Sequence, residues 1–207
     1  MSATDLVIAA LVIFLGSYVQ SSIGFGLAII AAPLLFFVDP LLVPAPITVC
    51  ALMLSVPNAL KHRHTITLSG LKYAIIGRVP GTVAGGLVLL LINQRDLTLF
   101  LGACVLIAVA ISFSHLRLRP TKVAMLFAGF LSGFMGTGSA IGGPPMALVM
   151  QHESGDYIRA NLAAFFIISA SMSLLMLFAV GRFGVAELLL SLPLVPAAFA
   201  GYWVAMR

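Results

Sequence analysis

The sequence predicts an all-α integral membrane protein of about seven membrane elements, arranged as two inverted internal repeats that each open with a broken or re-entrant Gly-rich helix. Three observations predict this. The chain is 61% hydrophobic and only 8% charged, and its mean hydropathy of +1.16 lies far outside the soluble globular range. GFGLAIIAAP at residues 24–33 returns in degenerate form as GTGSAIGGPP at 136–145, with Gly24/Gly136, Gly26/Gly138, Ala28/Ala140, Ile29/Ile141 and Pro33/Pro145 in register at an offset of 112. Both copies sit in apolar runs whose lengths suit neither one crossing nor two. Glycine and proline loosen a helix and free backbone groups that lipid does not satisfy, so such a break must face protein or a watery cavity.

The first apolar run, residues 6–38, carries no charge and would measure about 50 Å as a helix against ~30 Å of hydrocarbon. A half-depth re-entrant pair or a broken, tilted helix fits, with the break near Ser21, Ser22, Gly24 and Gly26. The N-terminus has no positive n-region and carries Asp5, so it reads as the first membrane segment and not as a cleaved signal. Residues 41–60 form a second segment with irregular ends at Pro44, Pro46 and Pro57, and Lys61, His62, Arg63 and His64 make a basic connection. The third segment, 71–92, is interrupted by Arg78, Pro80, Gly81, Gly85 and Gly86; residues 93–96 turn, and 97–114 is a fourth span.

Then the pattern restarts. Residues 123–150 are uncharged and would be about 42 Å long as a helix, and a polar link at 151–157 follows. Residues 160–180 answer the second segment and 185–206 the third, with Pro196 matching Pro80 and Gly201 matching Gly85 at an offset of 116, so the repeat absorbs a four-residue change in loop length. The chain reads as one transmembrane domain, 1–207, with repeats at about 6–92 and 123–207 joined by the span 97–114, which has no counterpart in the second half.

Loop cations set orientation. If both long runs are re-entrant, Lys61, Arg63, Lys72, Arg117, Arg119, Lys122, Arg159 and Arg207 share one side, Arg95 and Arg182 lie opposite, and Arg78 is intramembrane. If both cross, the division is seven against three. The count favours the re-entrant reading, which makes the halves inverted; crossing makes them parallel.

Several classes drop out. The net charge of +5 sits in connections between apolar runs, the pattern that orients a membrane protein and not one that grips nucleic acid. Cys50 and Cys104 lie in apolar segments without metal spacing and read as small buried residues. His62 and His64 are flanked by cations in a solvated loop, not a metal site. An intramembrane enzyme needs convergent acids, bases or thiols, and beyond Glu187, read as an interfacial carboxylate, the segments offer almost none.

A helix that begins in mid-membrane points unpaired N–H groups and the positive end of its dipole at whatever sits there, which suits an anion. The candidate substrate-binding residues are therefore Gln20, Ser21, Ser22, Gly24 and Gly26 at the first break, and Thr137, Gly138, Ser139, Gly142 and Gly143 at the second. Arg78 joins them as counter-charge, about 9 Å deeper than Lys72. Snorkelling to the headgroups is the competing reading for Arg78, whose repeat counterpart is Leu194. Asn58 and Asn161 are placed to bond backbone freed by prolines or helix starts.

GSYVQSSIGFGLAIIAAPLL, KHRHTIT, GRVPGTVAGG and GFLSGFMGTGSAIGGPPMAL together resemble the TauE/SafE family of membrane transporters, often called sulfite exporters. The resemblance spans nearly the whole chain. It implies transport of a small anion, a sulfur oxyanion or organosulfonate, across the bacterial inner membrane; joined to the inverted halves, which suit alternating access, this gives a secondary transporter, export favoured, with no cofactor and no metal expected. By matched position Gly24, Gly26, Pro33, Gly136, Gly138, Gly142, Gly143, Pro144 and Pro145 take the family's core places. Leu27 and Ile30 stand where many relatives carry glycine, which implies a less open first break. Relatives also end with one more helix, so the resemblance implies a truncated chain or, alternatively, a partner protomer over that face. The expected partners are a small anionic substrate and membrane lipid, with a homo-oligomer as a further option. The alternatives are uptake by the same fold, a non-transporting membrane subunit, or an intramembrane enzyme.

Overall fold

In a computed structural model, residues 2–113 and 118–207 are described; the expected span end at Ser114 and the topological role given to Arg117 lie outside the described residues. Among the described residues ten α-helices follow one another: α1 (Ala3–Ile23), α2 (Leu27–Val38), α3 (Ala45–Lys61), α4 (Leu68–Leu91), α5 (Gln94–Phe113), α6 (Lys122–Ser139), α7 (Gly143–Met150), α8 (Gly155–Ala179), α9 (Val185–Ser191) and α10 (Val195–Ala205). Six stretches among the described residues are long and apolar enough to cross a membrane: α1, Pro40–Lys61, α4, α5, α8 and Val185–Ala205. The chain is a multi-pass membrane protein. The run expected as a further element, 123–150, is not among the six and is divided between α6 and α7.

Local chemistry sets the boundaries. Ser2 and Asp5 form a capping box at the start of α1. Asn93 Oδ1 accepts from the N–H groups of Arg95 and Asp96 at 3.0 Å each, so the expected turn at 93–96 is already the start of α5. The expected link 151–157 is likewise shorter. Ser154 Oγ accepts from Tyr157 N at 3.3 Å, and with Asp156 in the first turn α8 begins five residues earlier than apolarity alone suggests. The single segment expected at 185–206 is interrupted by a 3-10 turn at Leu192–Leu194, where Pro193 and Pro196 remove helical donors. Glu187 accepts from Gly184 N at 2.8 Å and caps α9. Asn161 accepts from Thr67 N at 2.8 Å and donates to Thr65 O and Tyr157 O, tying the start of α4 to α8.

The bundle has two distinguishable ends. At one gather Lys61, Arg159, Met206 and Arg207 with Ser21 and Ser22, and nearby Ile23, Ser112, Gln151 and Ile158 line a common recess. At the other gather Pro40, Pro44, Leu89, Leu97, Gly181, Arg182 and Glu187, with Arg182 Nη2 donating to Leu89 O at 3.2 Å. The helices between them therefore have definite directions. α1 and α10 both end at the Lys61 end, α2 leaves the first break for the Arg182 end, and α7 leaves the second break for the Lys61 end.

Close backbone packing builds the scaffold. A Cβ on Gly77, Gly81 or Gly85 of α4 would collide with the backbone of Leu126, Phe130 or Phe134 of α6, and one on Gly129 or Gly133 of α6 with α4. Gly201 of α10 meets Phe14 and Tyr18 of α1 in the same way. Small residues at such crossings let dispersion act over backbone as well as side chains, which is what holds helices together in lipid. The outer surface is apolar, with Phe37 and Leu91 86% exposed and Phe113 79%, as a lipid-facing belt requires. Cys50 and Cys104 are buried.

Candidate functional site

Two helix breaks face each other inside the bundle. α1 stops at Gly24, whose φ of 100° turns the chain, and α2 starts after Gly26 at φ 125°. α6 stops at Ala140, φ 65°, and α7 starts at Gly143. α1 ends at Ile23 and α6 at Ser139, α2 begins at Leu27 and α7 at Gly143; the breaks are thus 116 residues apart. This is the offset of Pro80/Pro196 and Gly85/Gly201, so the 112-residue motif register aligns positions one helical turn apart, and no change in loop length is needed. Gly136 and Gly138 lie within α6 and not at a break.

Between the breaks lies a cavity of about 40 Å³, lined by Gln20, Gly26, Ala28, Ile29, Thr48, Ala51, Arg78, Gly136, Ala140–Gly143, Phe166, Ser169, Ala170 and Ser173. One ordered water needs about 10–15 Å³ on this measure, so the space suits a compact ion. α2 reaches the cavity over about 18 Å and α7 over about 12 Å of helix, each well short of a ~30 Å hydrocarbon layer.

Arg78 is 2% exposed, which corrects the snorkelling alternative: its guanidinium points into the bundle. Nη1 donates to Ser132 Oγ at 2.8 Å, and Nη2 donates to Ser173 Oγ at 2.8 Å and Ser169 O at 3.1 Å. Ser132 donates its own O–H to Gly142 O, and Thr137 bonds Ser173 at 2.9 Å. The Phe165 ring lies 5.6 Å from Arg78 Cζ. Every one of these partners is neutral. Among the described residues Arg78 Nε has no partner, and the ion pair found is Arg159 with Asp156 at the Lys61 end. A buried cation without a counter-ion is costly by several kcal/mol, and an anion in the adjoining cavity is the species that would offset it.

The structure brings together only part of the expected set. Gln20, Gly26, Arg78, Gly142 and Gly143 line the cavity, and Thr137 braces Ser173 behind it. Ser21 instead accepts from Asn58 Nδ2 at 3.3 Å, and Ser22 donates to Tyr18 O at 2.8 Å. Gly24 packs on Arg159, Ile158 and Leu162 of α8, and Gly138 faces the Phe100 ring of α5. Ser139 donates to Met135 O and accepts from Ile141 N. These five lie outside the cavity because successive helix residues are about 100° apart, and a glycine-rich stretch does not itself say which face looks inward. Ser132, Ser169 and Ser173 are new. Ser169 and Ser173 stand at i, i+4, which puts them on one face of α8.

The fold and cavity thus define a multi-pass helical membrane protein with a buried arginine lining an internal cavity. The profile of the Sulfite exporter TauE/SafE family matches residues 9–207, and the chain belongs to that family. It is a family of transporters, which agrees with a small anionic ligand and a lipid surround. No curated protein and no solved structure matches the chain.

Proposed function

We infer that the protein is a secondary carrier that moves a small sulfur oxyanion or organosulfonate across the bacterial inner membrane by alternating access, with export favoured. The observation that carries this reading is Arg78, buried without a carboxylate against a cavity to which both helix breaks contribute. The cavity volume favours a compact oxyanion such as sulfite or thiosulfate over a long sulfonate.

The reading takes the chain as one domain with two inverted repeats, about 6–92 and 123–207, joined by α5. It is supported by the constant 116-residue displacement of breaks, prolines and packing glycines, and by the directions of α2 and α7 toward opposite ends. α1–α2 is then a re-entrant hairpin that opens on the Arg182 face and α6–α7 one that opens on the Lys61 face, an arrangement suited to a midplane site. The moving bodies do not follow the sequence halves. α4 is interlocked with α6 and α10 with α1, so each body takes its outer helix from the other half.

The test is flux of thiosulfate and sulfite into proteoliposomes, with taurine and carboxylate controls. Saturable thiosulfate flux that disappears in Arg78→Gln supports the carrier. Normal flux in a folded Arg78→Gln protein removes the cavity from the reading.

A further inference from the structure

At the Lys61 end a second cavity, of about 270 Å³, opens between the last turns of α1, α3 and α10 and the first turns of α8. Lys61, His62, Arg159 and Arg207 line it, with no carboxylate side chain among the lining groups. The cations there have weak or neutral partners. Lys61 Nζ donates to the Met206 thioether, Arg207 Cζ stacks 3.4 Å from the Trp203 ring, and Arg159 Nη1 donates to Ser22 O at 2.9 Å. Arg159 Nη2 alone has a charged partner, Asp156, which is 68% exposed. Burial, and then the Arg159 charge, holds the His62 imidazole below its ordinary value, and His62 Nε2 is buried without a partner among the described residues.

Shared lining residues connect this outer cavity to the central one. Between them Gln20, Gly24, Ser55, Asn58, Arg159 and Ala163 close on one another and leave no room for a water molecule. Arg159 belongs to the outer cavity and to this constriction, and Gln20 to the constriction and the central cavity. Along α8, Arg159 and Ser169 are about 15 Å apart.

We propose that the outer cavity is a second anion site, where Lys61, Arg159 and Arg207 hold a free sulfur oxyanion at the mouth of the path to Arg78. A lipid phosphate presents the same oxygens; the constriction that joins this cavity to the central one points to the free ion. The hand-over to Arg78 rests on the carrier reading above, whereas binding at the outer site does not.

Trp203 is the single tryptophan and reports on this cavity through Arg207. The full chain in phosphatidylcholine nanodiscs is titrated with sodium thiosulfate at constant ionic strength, following tryptophan emission and calorimetric stoichiometry together. The expected result is two ions per chain and a saturable emission change, weakened at least about 5-fold by Arg159→Gln or Lys61→Gln. Arg78→Gln should remove one ion per chain and leave the emission change intact. An emission change unaltered by both outer variants, absent from the wild type, or seen only when phosphatidylglycerol is added would overturn the proposal, the last by showing a lipid site. Lys61 is exposed, so Lys61→Gln decides if Arg159→Gln does not fold. Loss of all binding in the outer variants, with Arg78→Gln unaffected, would keep the outer site and sink the central one.

Discussion

At the first break Gly24 and Gly26 hold φ of 100° and 125°, and α2 opens on Leu27, Ala28 and Ile29, whose N–H groups precede the first intrahelical donor. At the second break the turn rests on Ala140 at φ 65°, and α7 opens on Gly143 followed by Pro144 and Pro145, which have no N–H to offer. Two breaks 116 residues apart are thus chemically unequal. The first supplies backbone donors, and its half also supplies Gln20 and Arg78. The second supplies little donor capacity of its own; its half supplies the hydroxyls and carbonyl that fix Arg78 through Ser132, Ser169 and Ser173. One half presents the positive charge and the other aims it.

This division gives four substitutions of graded effect. Arg78→Gln removes the charge and is expected to weaken thiosulfate binding by about 10- to 100-fold, with helicity unchanged by circular dichroism. Gly26→Ala forces a side chain into left-handed backbone and 2.9 Å from Val19 Cγ1, for an expected stability loss of about 2 kcal/mol in detergent unfolding. Ser173→Ala leaves the charge but loosens its aim, with binding expected to fall about 5-fold in the same calorimetric titration. Ala140→Gly relieves the only non-glycine positive φ among the described residues and is expected to raise the melting point, by an amount equivalent to about 1 kcal/mol at most. Equal losses from Gly26→Ala and Ala140→Gly would show that the two breaks do not differ as described.

The helical class and the membrane segments were legible because apolar run length reads out directly against bilayer thickness. So was the existence of both breaks, since Gly24, Gly26, Gly142 and Gly143 cluster beside prolines in runs whose lengths do not match one crossing. Their register was not. Five identities at an offset of 112 outvoted the backbone, which places Gly26 opposite Gly142 and leaves Gly136 inside α6, its missing side chain making room 3.1 Å from Arg78 Nη2. Serines 132, 169 and 173 were illegible for a different reason. A lone hydroxyl in an apolar helix ordinarily bonds its own backbone, as Ser55 and Ser171 do here, and only the position of Arg78 on a third helix picks out the hydroxyls of Ser132 and Ser173 and the carbonyl of Ser169. The depth of Arg78 was visible, but the direction of its side chain depended on which helices lie beside α4.

The interlock of α4 with α6 bears on how the protein is made. The glycine stripe of α4 is shaped for a helix that the ribosome produces only after α5. Until α6 is inserted, that stripe lies against lipid with no side chains to fill it, and α1 likewise waits for α10. Assembly is therefore completed late, and a nascent chain stalled after α5 would expose unmated seams to the membrane's quality-control proteases.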